Sequence, residues 1–175
     1  MKQSLWERWK GKIFGYDVNA LWGGFKVKAN LSAVIIRAGS GEREYIPAKN
    51  VNCTSGLNAA RRQLYDASYT PAFFNNIAVS SGSGFTPAAG DTTLAGEATL
   101  SGLARGTGSY TGPANTNWQL VRTMTYSGAN AITLTGSAVF DASSGGNIVH
   151  EALYTATAIL NLNDQIQNTW SGSLS

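Results

Sequence analysis

The 175-residue sequence has a single cysteine, Cys53, and a single histidine, His150. The first rules out an intrachain disulfide and a cysteine-based zinc site, and the second leaves no histidine-rich ligand set. Charge is scarce as well. Asp, Glu, Lys and Arg make up 13% of the chain, so the surface must be satisfied largely by neutral Ser, Thr, Asn and Gly groups. That economy suits a β-protein with many turns, and one whose surface is partly covered by neighbours. No apolar run approaches the ~20 residues that a membrane helix needs. Met1-Lys2-Gln3-Ser4 leads into Trp, Glu, Arg and Lys rather than an apolar signal core, so synthesis in a reducing cytoplasm and no membrane partner are expected.

Catalytic constellations are missing too. His150 adjoins Glu151 in a strand-like run, where successive side chains point to opposite faces, so the two cannot form a dyad and a surface or interface histidine is expected. Ser81-Gly82-Ser83-Gly84 lacks the Gly-Lys-Ser/Thr of a phosphate-binding loop. Asp91, Asp141 and Asp164 fall in loops, where a carboxylate that caps a turn and one that binds Ca²⁺ look alike. The expectation is no enzyme, no cofactor and no metal.

The charge that is present is unevenly placed. Residues 1–62 hold eleven of the thirteen Lys and Arg against four acids, a net +7, while residues 63–175 hold two bases against six acids, a net −4. Such asymmetry favours head-to-tail or arm-on-neighbour packing, and it also fits charges that solvate two faces of a monomer.

Residues 1–28 form an aromatic and basic arm in which Trp6, Trp9, Phe14, Tyr16, Trp22 and Phe25 interleave with Lys2, Arg8, Lys10, Lys12, Lys26 and Lys28. Ser4 and Glu7 are placed as a capping box for a short helix that Gly11 and Gly15 would stop. Rings of this size cannot be left in water cheaply. They pack on the chain's own body, grip another subunit, or stack on nucleic-acid bases, the last without any accompanying nucleic-acid motif. Candidate subunit contacts are Trp6, Trp9, Lys10, Lys12, Phe14, Trp22 and Phe25.

From residue 29 the pattern is that of one domain. Leu31–Arg37 reads as a strand, and Tyr45-Ile46-Pro47 as an edge strand or loop, since Pro has no amide for a central ladder. Leu57, Ala60 and Leu64 recur at helical spacing after Ser55, which predicts a short helix near 56–66. Trp118, Leu120, Met124 and Tyr126 alternate with polar residues. So do Ile132, Leu134, Ala138 and Phe140, across a turn at Ser127-Gly128-Ala129-Asn130, which predicts a β-hairpin. Strand pairs over 147–155 and 156–162 and a last strand over 165–170 complete seven or eight strands. The fold class is therefore all-β, an antiparallel β-sandwich of jelly-roll or Ig-like type with one short helix and an extended N-terminal arm.

Three stretches carry a resemblance. They are Phe74-Asn75-Asn76-Ile77-Ala78-Val79 followed by Thr86-Pro87-Ala88-Ala89-Gly90-Asp91-Thr92-Thr93-Leu94, Glu97 and Arg105; then Phe140 with Ile148-Val149-His150-Glu151-Ala152-Leu153-Tyr154; and Asn163-Asp164-Gln165-Ile166-Gln167-Asn168-Thr169-Trp170. Together, over about 51–170, they resemble a broad family of tailed-bacteriophage virion structural proteins of tail, collar and head-surface type. Asn163 stands where Gly is usual in that family, and Tyr154 where Phe is. The resemblance implies a virion localisation and partners that are copies of the chain and other virion proteins, with nucleic acid unlikely. The alternative is a carbohydrate- or host-surface-binding module presenting Tyr110, Trp118 and Asn115–Asn117. Arg122 and Glu151 each place a charge on an otherwise apolar strand face, so Glu151 is expected to form a structural ion pair with Arg122 or Arg105.

Overall fold

The computed structural model describes residues 27–56, 58, 62, 73–112 and 117–174. The seven candidate contacts of the arm, Trp6, Trp9, Lys10, Lys12, Phe14, Trp22 and Phe25, lie outside the described residues.

Ten strands build two antiparallel five-stranded sheets. They are β1 (Val27–Ile36), β2 (Arg43–Ile46), β3 (Ala48–Asn52), β4 (Asn76–Ser80), β5 (Gly106–Thr107), β6 (Ser109–Thr111), β7 (Asn117–Thr125), β8 (Ile132–Phe140), β9 (Ile148–Leu160) and β10 (Gln165–Leu174). One sheet runs β2-β1-β10-β7-β6, the other β3-β9-β8-β4-β5. The protein is a β-sandwich. Residues 54–56, 58 and 62 are helical, so the helix starts two residues before the stretch near 56–66 predicted from spacing. Val27 and Lys28, assigned to the arm from sequence, already belong to β1 and pair with Leu174 and Ser173.

The core between the sheets follows from alternation. On β1, Leu31, Ala33 and Ile35 point inward; on β10, Ile166, Asn168 and Trp170; on β7, Leu120 and Met124. β2 is an edge strand, as the following Pro47 requires.

Two expectations about pairing change. β7 and β8 do not form a hairpin, because they belong to different sheets and 126–131 carries the chain from one to the other. That link is held by long-range bonds: the Tyr126 amide donates to Asp164 O, and the Ser127 amide to Ser101 O. Nor are 147–155 and 156–162 two strands. β9 is one 13-residue strand with a wide irregularity, since Gly136 faces Leu153 and Leu134 faces Ala158, leaving four residues of β9 opposite Thr135. The phase of β8 flips at the same place. Leu134 joins the core between the sheets, whereas Ala138 and Phe140 join a second cluster with Cys53, Ala78, Phe85, Leu94 and Ile148. A continuous alternation in sequence thus serves two different faces.

Candidate functional site

The second cluster marks the most elaborated region of the molecule, the outer face of the β3-β9-β8-β4-β5 sheet. A surface-facing sheet would show polar residues there, yet all five residues of β4 are buried. The cover is the long segment between β4 and β5, whose Phe85 and Leu94 are buried against Ala78, Ala138, Phe140 and Ile148. Leu103 is buried in the inter-sheet core while Leu100 is exposed.

Several attachments of this cover use residues singled out by the resemblance. Arg105 Nε and Nη2 donate to Glu97 Oε1 and Oε2 at 2.9 and 2.6 Å, a bidentate pair, and Nη1 donates to the carbonyls of Ala142 and Gly145. The guanidinium sits 3.3 Å from the ring centroid of Phe140. One cation thereby joins the end of the cover to the turn after β8, with its charge matched by a carboxylate and an aromatic face. At the other end the Thr54 amide donates to Ala89 O, Cys53 Sγ lies 3.8 Å from Ala88 O, and Ser55 Oγ reaches Asp91 O and Ile148 O. Ser55, already inside the helix, is therefore a tie to the cover. Gly56 is required here, because a Cβ would run into the Val149 backbone of β9.

Glu151 lies under this end, fully buried, with neither carboxylate oxygen hydrogen-bonded. Burial pushes its carboxyl up to about 8, and the neighbouring Asp91 adds to the rise while the Ala88 amide opposes it. Cys53 is raised to about 12 by burial and by the charges of Glu151 and Asp91. The expected ion pair is thus corrected on all three residues. Arg105 is taken by Glu97. Arg122 points between the sheets and donates to Ile77 O at 2.5 Å and Ala104 O at 2.7 Å, its pKa lowered by burial. Glu151 faces another acid.

His150 is corrected too. It is buried, not a surface residue, and its ring is stacked between Trp118 and Trp170 with centroids 5.8 Å from each. Nδ1 lies 2.9 Å from Asn52 Oδ1, and burial lowers its pKa to about 4, so the ring is neutral in ordinary buffers. A polar seam continues inward. Trp170 Nε1 donates to Ser137 Oγ, Ser137 Oγ to Ala78 O, and the Tyr154 hydroxyl to Asn168 Oδ1. The indole nitrogen and the Ser137 and Tyr154 hydroxyls are satisfied within the core, while Asn168 Nδ2 is buried without a partner, and the seam specifies the packing of the two sheets.

The three loop carboxylates act as turn caps. Asp91 Oδ2 accepts from the Ala88 amide, and Asp141 accepts from the amide and side chain of Asn147. Asp164 Oδ1 accepts from the Ala38 amide; its Oδ2 accepts from the Asn161 amide and Arg37, which also pairs with Glu44. Burial works to raise the Asp164 carboxyl, but the two amides and Arg37 outweigh it and hold it below the usual range. Among the described residues, no three His, Cys, Asp or Glu side chains converge as a metal site. Of the sugar-binding platform considered from sequence, Trp118 is packed on His150, Tyr110 is exposed at the β6 edge, and 113–116 lie outside the described residues.

No protein-family model matches this chain, and no curated protein does either.

Proposed function

We propose that the chain is a non-catalytic structural component of a tailed-phage virion, assembling in multiple copies on capsid, neck or tail through its N-terminal segment and its sandwich edges. The observation that carries this reading is how the buried and half-buried charges are used. Arg37, Arg105 and Asp164 tie one loop of the body to another, Asp141 caps its own turn, and Arg122 ties one sheet to the other. That is the economy of a rigid building block rather than of a reactive cleft.

The charge asymmetry enters differently from its sequence reading. Asp91, Glu97, Asp141, Glu151 and Asp164 are capping, paired or buried, so the acidic surplus after residue 63 offers no acidic face for a basic arm among the described residues. Grip on a neighbour therefore rests on the six large aromatics of residues 1–26. At about 25 cal/mol per Å² of apolar area, three or four such rings supply several kcal/mol before ordering costs. Val27, the first described residue, pairs with Leu174 at one end of the β2-β1-β10-β7-β6 sheet.

Removing residues 1–26 leaves β1 whole. The shortened protein should keep its β-sheet circular dichroism and cooperative unfolding, yet fail to enter particles in a co-assembly assay that incorporates the full chain. Equal incorporation of both, or an absence of immunogold label on intact particles, would refute the proposal.

A further inference from the structure

The break in the β8–β9 ladder opens a cleft in the outer face of its sheet. Between the pairs Gly136–Leu153 and Leu134–Ala158, Tyr154–Thr157 of β9 have only Thr135 opposite them on β8, and pairing resumes on both sides. The cleft at this gap measures about 400 Å³, inside the range of small-molecule sites, about 300–1,000 Å³. Ladder irregularities of this kind re-aim side chains. Leu134, Tyr154 and Ala158 belong to the core between the sheets, so alternation leaves Thr133, Thr135, Thr155 and Thr157 on the outer side, where all four line the cleft. Phe85 of the cover forms part of the wall, seated on Gly136, where a Cβ would strike its ring.

The lining narrows the ligand by its chemistry. None of the lining residues is charged, so an anion or a cation would meet no opposite charge among them. Thr135 spends its hydroxyl hydrogen on Ser80, and Thr155 on Pro47 O, so each has only acceptor lone pairs left for a ligand. The exposed Thr133 and Thr157 hydroxyls have no partner among the described residues, and they can rotate to donate or to accept. Leu153 and the threonine methyls add apolar surface between these groups. A wholly apolar ligand would leave the hydroxyls unpaired. A peptide adding as a strand needs a free sheet edge, and β8 and β9 are both interior strands. What matches is a neutral molecule with C–H faces and hydroxyls that each donate and accept.

We propose that the cleft between β8 and β9 binds an uncharged saccharide, whose hydroxyls take the place of water on the four threonines. It is a different surface from the Tyr110 and Trp118 platform considered from sequence, which belongs to the other sheet. The assignment does not depend on the chain's place in a particle. A soluble sugar and a sugar unit of a glycan chain offer the cleft the same chemistry.

The test is saturation-transfer NMR of the full chain with glucose, galactose, mannose, N-acetylglucosamine and their disaccharides, read together with the threonine and leucine methyl shifts. At least one of these sugars should receive transfer and should shift the Thr133, Thr157 and Leu153 methyls while leaving Thr123, on the other sheet, unmoved. Thr133→Val and Thr157→Val keep the shape at exposed positions and remove one hydroxyl, and each should weaken binding about three- to tenfold. Glucosamine and galacturonate, which add a charge to nearly the same ring, should bind more weakly than glucose and galactose. Retention of the protein on a polymer displaying the same sugar would assign the cleft to glycan chains, and binding of the free sugar alone would assign it to a soluble saccharide. Absence of transfer to every one of these sugars would overturn the proposal. So would binding that shifts none of the three cleft methyls, that is unchanged in both valine variants, or that favours the charged sugars.

Discussion

Replacing Arg105 with alanine tests the load placed on one side chain. The Arg105 side chain is 9% exposed and that of its partner Glu97 19%, so the pair is shielded well enough that screening removes little of its energy. Removal leaves Glu97 without its charge partner, frees the carbonyls of Ala142 and Gly145, and uncovers the face of Phe140. Breaking a buried pair from one side costs about 3–5 kcal/mol, and the lost cation–π contact adds roughly 1 kcal/mol. With a urea slope of about 2 kcal/mol per M, the unfolding midpoint should drop by about 2–3 M. Glu97→Gln keeps the shape but turns an amide toward a guanidinium donor, and should cost about 1–3 kcal/mol. The double variant Arg105→Ala with Glu97→Ala should lose less than the sum of its single changes, because neither charge is then stranded. Arg43→Ala, whose contact with Gln167 is exposed and 3.4 Å long, is the control and should change stability by no more than about 0.5 kcal/mol. If Arg105→Ala behaved like that control, the Glu97 contact would be a surface pair and the anchoring of the cover would lie elsewhere.

Three further outcomes follow from buried groups and a strained backbone. Glu151 is raised in the fold, so it contributes stability that is full below about pH 4.5 and lost as pH rises through about 8; His150 is depressed, so stability falls as pH drops from about 6.5 to about 4. Each slope is about 1.4 kcal/mol per pH unit and the two oppose between 4.5 and 6.5. Chemical denaturation should therefore show little pH dependence there in the parent, and stability rising with pH over the same range in Glu151→Gln; a parent-like profile in the variant would contradict the assignment. The Cys53 thiol, buried and pushed up to about 12, should react with a disulfide reagent at pH 8 only as fast as the protein unfolds. Gly102 has φ +83° and no room for a Cβ beside the Thr125 carbonyl, so Gly102→Ala should lower stability by about 2 kcal/mol or more in thermal melts.

Much of the architecture is written in short-range pattern. Period-two alternation over Trp118–Tyr126 and Ile132–Phe140 marked β7 and β8, and Pro47 marked an edge. A strand's existence depends on neighbours two residues away, which any reader of the chain can see. Its partner does not. β7 joins β10 and β8 joins β9 because burial of Trp170, Leu120, Leu134 and Leu160 between two sheets decides the pairing, and no local signal in Ser127–Asn130 distinguishes a hairpin from a crossing. The same holds for the charges. Glu97, Arg105, Glu151 and Asp164 stood out in the chain, but only the packed cover gave Arg105 to Glu97, and only the fold set Asp91 against Glu151 across 60 positions. His150, read as a surface residue, became the filling between two indole rings because Trp118 and Trp170 come from two neighbouring strands of the opposite sheet. Which residues are apolar is a property of the chain; which polar ones must live without water is settled when distant segments close over them.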